Sequence, residues 1–218
     1  MKKWLKRLTL LNLIVVVIYL AYLNHLVQAV FSVPAKTSEQ ITQIEYSLDS
    51  YPKEMINMLL LVEDQSFFQH PGVDVKEISR VFSSYLLENK PLRGASTISQ
   101  QLVKNTLLSR EQTLARKMKE VMMTLLMELK YDKNFILERY MNTVYLAQDG
   151  ALAIHGFAAA GEHYFDRSLG QLNLDEMATL VALLKGPSYY HPVRYPERLA
   201  KRKNLILSMH HKYKKIVK

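Results

Sequence analysis

Residues 114–129 read LARKMKEVMMTLLMEL, and the spacing of their apolar side chains decides the fold class. Leu114, Met118, Val121, Met122, Leu125, Leu126 and Leu129 fall three and four positions apart, so they form one stripe of a helix over about five turns. A half-buried strand would need strict alternation instead. Core is the expected destination of this stripe. Between its apolar members stand Arg116, Lys117 and Glu120. Arg116 and Glu120 are four residues apart and share a face, by itself an ordinary surface pair worth about 0.3 to 0.5 kcal/mol.

The same spacing recurs on both sides. Val75, Ile78, Val81, Phe82, Tyr85 and Leu86 form a second stripe, also expected as core, opened by Asp74 with Glu77 three residues on, as in a capping box. Further helices are expected over 52–64, 97–108, 133–147, 151–165, 174–184 and 196–213. The small residues Gly156, Ala158, Ala159, Ala160 and Gly161 let another helix approach closely, so this stretch belongs in a crowded centre. The predicted fold class is all-α.

At the other end, residues 8–30 run LTLLNLIVVVIYLAYLNHLVQAV without Lys, Arg, Asp or Glu, long enough to cross roughly 30 Å of hydrocarbon. Lys2, Lys3, Lys6 and Arg7 precede this run and the next cation after it is Lys36, so the positive-inside rule keeps the N-terminus cytoplasmic and exports the rest. A cleaved signal peptide ending near Val27-Gln28-Ala29 is the competing reading. Its apolar core would be only about 7 to 15 residues, which favours a retained anchor. The expected organisation is a basic tail (1–7), a transmembrane helix (8–30), a linker and membrane-proximal segment (31–50), polar over 32–43, and one domain (51–218).

Composition narrows the function. With 49% hydrophobic residues and only seven Gly and seven Pro in 218, the chain is neither disordered nor low-complexity. No cysteine is present, which excludes a disulfide scaffold, a Cys-ligated zinc and a Cys nucleophile. A net charge of +9 points to a polyanion, an anionic membrane or a phosphorylated substrate. No Gly-rich loop signals a nucleotide, and no motif signals nucleic acid.

Three polar clusters remain. In the first, Glu63 and Asp64 end an apolar run and are followed by His70 and Asp74. A Glu against apolar walls has its charged form disfavoured and its proton affinity raised, which suits a general base or acid. Solvated acids at a helix end are the plain alternative, and the spacing fits no standard metal site. The second runs from Arg93 to Asn105: Gly94 gives backbone freedom before a helix whose first turn carries hydroxyls, and Thr97, Gln100, Gln101, Lys104 and Asn105 offer donors to sugar or phosphate oxygens. The third is Arg116-Lys117-x-x-Glu120.

In this order the clusters resemble the motifs of the peptidoglycan glycosyltransferases, glycosyltransferase family 51. The pattern ED-x-x-F-x-x-H-x-G-x-D is similar to Glu63 through Asp74, G-x-S-T-[IL]-[TS]-Q-Q-x-x-K-N to Gly94 through Asn105, and R-K-x-x-E to Arg116 through Glu120. A fourth motif resembles Ile136 through Tyr145 and a fifth Leu172 through Pro192. Three positions depart from the family: Ala147 and Asp166 stand where Gly is usual, and His191 where Asn precedes Pro192. Because the sequence ends at Lys218, the resemblance implies a monofunctional polymerase without a transpeptidase domain.

The resemblance implies a lysozyme-like fold with a membrane-proximal jaw, and polymerisation of lipid II into β-1,4-linked strands with inversion. Glu63 matches the family's base, and Lys104, Arg116 and Lys117 would neutralise the pyrophosphate. Glu120, the second catalytic acid, would orient those cations or help hold a divalent ion, Mg or Mn; no other cofactor is implied. Thr97, Gln100, Gln101 and Asn105 would position sugar and phosphate, Asp64 and His70 would hold the first loop, and Lys185 would face the phosphates. Implied partners are lipid II, the growing lipid-linked strand, membrane lipids of the bacterial inner membrane and other wall-synthesis proteins. Two rival readings are a non-catalytic lipid II-binding module and a glycan-cleaving lysozyme-like enzyme.

Overall fold

The computed structural model describes residues 2–32, 46–88, 96–109, 111 and 113–213. Arg93, Gly94 and Ala95, nearly all of the polar linker, and the side chains of Val81, Phe82, Tyr85 and Leu86 lie outside what is described. In chain order the described elements are α1 (Lys2–Ser32), α2 (Lys53–Glu63), α3 (Val75–Glu88), α4 (Ile98–Leu107), α5 (Leu114–Lys130), α6 (Lys133–Thr143), β1 (Tyr145–Asp149), β2 (Leu152–His155), α7 (Phe157–Phe165), α8 (Leu174–Leu183) and α9 (Pro196–Lys212). The domain is helical, as its periodicity implies, with one small hairpin.

Most helices begin where a side chain can take up free backbone amides. Thr97 caps α4 in a complete box with Gln100, Thr113 caps α5, Asp132 caps α6, and Asn173 caps α8 in a second box with Glu176. Such caps are worth about 0.5 to 2 kcal/mol each. At α3 only half the expected box forms. The Asp74 carboxylate accepts from the Glu77 amide at 2.8 Å, while the Glu77 carboxylate turns outward to Arg80.

α2 is apolar nearly all round, and Met55, Ile56 and Met58 through Leu61 are buried where it packs on α8 and α9. A helix of that kind belongs at the centre, and its last residue, Glu63, is thereby delivered to the domain's interior edge. α8 supplies the facing layer with Met177, Ala178 and Leu180 through Leu183.

The α5 stripe is not core throughout. Leu114, Met118, Leu125 and Leu129 are exposed, the last by 85%, while the buried face carries Glu120, Met123, Thr124 and Met127. Val75 and Ile78 on α3 are exposed as well. α5 is apolar on more than one side, so periodicity fixes which of its residues share a face but not which face turns inward. Val121, Met122 and Leu126 are half-buried.

The hairpin is the second correction, since helices were expected through Ala147 and from Ala151. β1 pairs antiparallel with β2, matching Ala147 with Ile154 and Asp149 with Leu152. Gly150, with φ 54, turns the chain between them, and Asp-Gly between apolar runs is a recognised hairpin signal. Gly156, at φ 81, then starts α7. A Cβ there would stand 2.6 Å from the Asn142 carbonyl oxygen, so only Gly fits. Phe157, Ala160 and Gly161 of this crowded stretch are buried as expected.

α1 is apolar and long enough over Lys3–Gln28 to cross a membrane. Its last turns are part of the domain: Leu23, Val27 and Val30 are buried where α1 packs on α4 and α5, and Phe31 lies against Tyr131 and Phe135. The apolar residues from Leu5 to Tyr22 are exposed.

Candidate active site

The three polar clusters converge on the first half of α4. Asp64 leaves the end of α2 and is buried; its Oδ2 accepts the Ile98 backbone amide at 3.0 Å. His70 lies against the same carboxylate at 3.0 and 3.1 Å, and its Nδ1 accepts the Gly72 amide. The proton therefore sits on Nε2, which donates to Asp64. The Thr97 hydroxyl donates to the Gly72 carbonyl at 2.5 Å. Asp64, His70 and Thr97 thus clamp the loop of residues 64–74 onto the start of α4. Phe67 is fully buried beneath the loop, with the Lys133 ammonium 4.4 Å from its ring centre. Asp74 is held below the usual carboxylate range by the Ser66 hydroxyl, then by the Glu77 amide.

Glu63 meets a polar wall rather than an apolar one. Gln101 Nε2 donates to its Oε2 at 2.9 Å, and Tyr140 in turn donates to Gln101 Oε1 at 3.0 Å. Burial pushes the Tyr140 phenol well up, with the nearby Glu63 carboxylate as the second cause, so Tyr140 stays a donor. Arg202 Nη2 on α9 lies 3.7 Å from Glu63 Oε1.

Near the start of α4, Glu120 is 1% exposed and is gripped by two cations. Arg116 Nη1 donates to its Oε2 at 2.8 Å, and Lys117 pairs with its Oε1 while lying 3.3 Å from the Ser96 hydroxyl. Among the described residues Arg116 Nε is buried without a partner, a donor left over. Both carboxylate oxygens are occupied by cations, and among the described residues no group of three or more His, Asp or Glu is placed to hold a metal. This donor set does not fit a divalent ion at Glu120.

The polar face of α4 divides. Thr97 and Gln100 are buried in the capping box, each bonded to the other's backbone amide, so they shape the helix start rather than face outward. Gln101 points to Glu63, while Lys104 and Asn105, three and four positions on, are exposed. Among the described residues Lys104 has no ion-pair partner. Lys185 is exposed on the turn after α8 and meets none of the three clusters through a hydrogen bond or ion pair among the described residues.

The fourth motif, given no role from sequence, has one in three of its polar residues. Glu138 accepts the Leu48 amide, Tyr140 fixes Gln101, and Asn142 holds Tyr46 and the Tyr51 hydroxyl. The departures are accommodated too. Asp166 ends α7 at φ 52, a left-handed position that Gly fills freely and Asp tolerates. His191 Nδ1 accepts the Val193 and Arg194 amides, as an Asn side chain does in a turn. Ala147 is buried in β1.

The chain thus combines an acid bonded to the first half of α4, a cation pair beside the residue that precedes this helix, and an apolar N-terminal helix. This chain belongs to the transglycosylase family, whose sequence profile matches residues 30–211. It is 41% identical over 179 residues to penicillin-binding protein 1B of Haemophilus influenzae, covering 82% of this chain and 23% of that protein. Against penicillin-binding protein 1B of Vibrio cholerae it is 45% identical over 161 residues, 74% of this chain and 21% of the relative. The Escherichia coli protein of the same name gives 42% over 159 residues, 73% and 19%. The chain spans about a fifth of the length of these relatives.

Proposed function

We propose that this chain is a peptidoglycan glycosyltransferase that polymerises lipid II into β-1,4-linked glycan strands. The observation that supports it most is that Glu63 and Lys117 are both bonded to one short segment, Glu63 through Gln101 in α4 and Lys117 through Ser96 just before that helix. One segment thus links a base to an anion site. Glu63 takes the proton from the 4-hydroxyl of the acceptor sugar as its oxygen attacks the donor's anomeric carbon. The bond from that carbon to the lipid pyrophosphate breaks, and its electron pair leaves on the pyrophosphate oxygen. Attack from the opposite face inverts the α-linked donor to a β bond. Charge gathering on the leaving group meets Arg116, Lys117 and the exposed Lys104, with Arg116 Nε as a further donor. The step moves a proton and a pyrophosphate, not electrons, so it calls for no redox cofactor.

On this reading α1 anchors the enzyme in the membrane that holds both substrates, with the basic N-terminus cytoplasmic and the domain outside. The exposed Leu114, Met118, Leu125 and Leu129 of α5, the helix on which α1 docks, face the bilayer. The test is polymerisation of labelled lipid II by the detergent-solubilised full chain. Strands are expected from the native sequence and none from Glu63→Gln. A native chain that binds lipid II yet makes no strands would refute the enzyme in favour of a binding module.

A further inference from the structure

We propose that Arg202, on α9 and outside every motif that resembles the family's, is the positioning residue for Glu63. The inference rests on Glu63 being the base, and it assigns α9 a part in the reaction. Glu63 is the last residue of α2, where three side-chain torsions would otherwise leave its carboxylate free to swing. A base must hold its lone pair to within about 0.5 Å of the proton it takes. One oxygen is already fixed. Because the Tyr140 hydroxyl donates to Gln101 Oε1, the Gln101 amide nitrogen must turn to Glu63, where it holds Oε2.

The other oxygen, Oε1, faces Arg202 Nη2 at 3.7 Å. That distance is longer than the roughly 2.7 to 2.9 Å of a charge-assisted hydrogen bond, yet short enough for strong attraction between half-buried groups. Arg202 therefore supplies the counter-charge and the direction while leaving the Oε1 lone pair open to a substrate hydroxyl. The guanidinium is itself held in place. Its Nε donates to the Ala182 carbonyl at the end of α8, 3.2 Å away, and it lies 5.5 Å from the Tyr190 ring centre in the loop that follows. Arg198, one turn earlier on α9, stands between the rings of Tyr189 and Tyr195 at 4.5 and 4.3 Å, fastening the same loop. A rigid cation, rather than a mobile surface one, is what positioning requires.

The experiment compares the native full chain with Arg202→Gln, Arg202→Met and Arg202→Lys in lipid II polymerisation, each first confirmed as folded by thermal unfolding. The Met variant keeps the packing of the aliphatic stem. For Gln and Met, kcat should fall about ten- to a hundredfold with KM for lipid II within about twofold, the signature of a misplaced base. Lys should recover most of that loss, which a purely structural role for the guanidinium would not give. An unchanged kcat, or a loss confined to KM, would overturn the proposal; the second result would make Arg202 a substrate ligand. Glu63→Gln separates the two readings. If that variant is as active as the native chain, the base assignment itself fails. If it is inactive while Arg202→Gln is fully active, only the role of Arg202 fails.

Discussion

Glu120→Gln is the substitution that weighs the cation cluster. It keeps the shape of a side chain that is 1% exposed but removes the charge between Arg116, 16% exposed, and Lys117, 41% exposed. Breaking a buried ion pair typically costs about 3 to 5 kcal/mol, because the surviving charge is left without its partner. The Lys117 arm reaches solvent and adds no more than about 1 kcal/mol. The Gln carbonyl still accepts one bond from Arg116, which favours the lower end, about 3 kcal/mol. For a chain of this length that corresponds to a fall in Tm of about 6 to 12 °C. The assay is thermal unfolding of the detergent-solubilised full chain at low salt and again in 1 M NaCl. A buried pair is little screened, so the fall should persist in salt. A fall under about 2 °C, or one that disappears in salt, would show a solvated pair and refute the view that Glu120 fixes the two cations.

Three further outcomes follow from the same geometry. Asp74→Asn keeps the cap of α3 and removes a carboxylate whose folded pKa is depressed by Ser66 and the Glu77 amide. The stabilisation it loses is present above the unfolded value of about 3.9 and vanishes as pH falls through the folded one. Urea titrations should therefore show a deficit of about 1 kcal/mol at pH 7, discounted for solvent screening, that closes below about pH 4, and a pH-independent deficit would contradict it. Burial raises the phenol pKa of Tyr51, Tyr140 and Tyr164, so their neutral forms stabilise the fold up to about pH 10 and that contribution is lost as pH climbs towards their folded values. Absorbance at 295 nm should show Tyr51 and Tyr140 ionising only as the chain unfolds; complete titration of every tyrosine near pH 10 in a folded chain would rule this out. Gly156→Ala places a methyl against the Asn142 carbonyl oxygen at a φ of 81, and should lower stability by about 3 kcal/mol in urea unfolding. A neutral result would mean that the β2–α7 junction relaxes freely.

Much of the site was legible because its residues are local signals. Glu63 with Asp64, Thr97 with Gln100, and Arg116 with Glu120 lie within four positions of each other, and those short spacings fix helix ends and shared faces directly. The Thr97–Gln100 pair shows the limit of that reading. The family resemblance makes it a sugar- and phosphate-positioning pair, and the structure closes it into a capping box. The hairpin carries a signal in Asp149-Gly150, yet Leu, Ala and Gln around it favour helix when pairing partners are ignored. Arg202 gave no local signal: among Lys201 and Lys203 it reads as part of a solvated basic face, and only the packing of α9 on α2 brings it to Glu63.

The sequence by itself determined the helical class, the apolar N-terminal span and the inventory of acids and cations. These depend on near neighbours along the chain, where helical geometry sets who meets whom. The tertiary structure alone decided which face of α5 turns inward, that the last turns of α1 join the core, and that Tyr140, Gln101 and Arg202 surround one carboxylate. Those outcomes depend on how separate helices share buried surface. Periodicity names the members of a face but carries no information about the face it will meet.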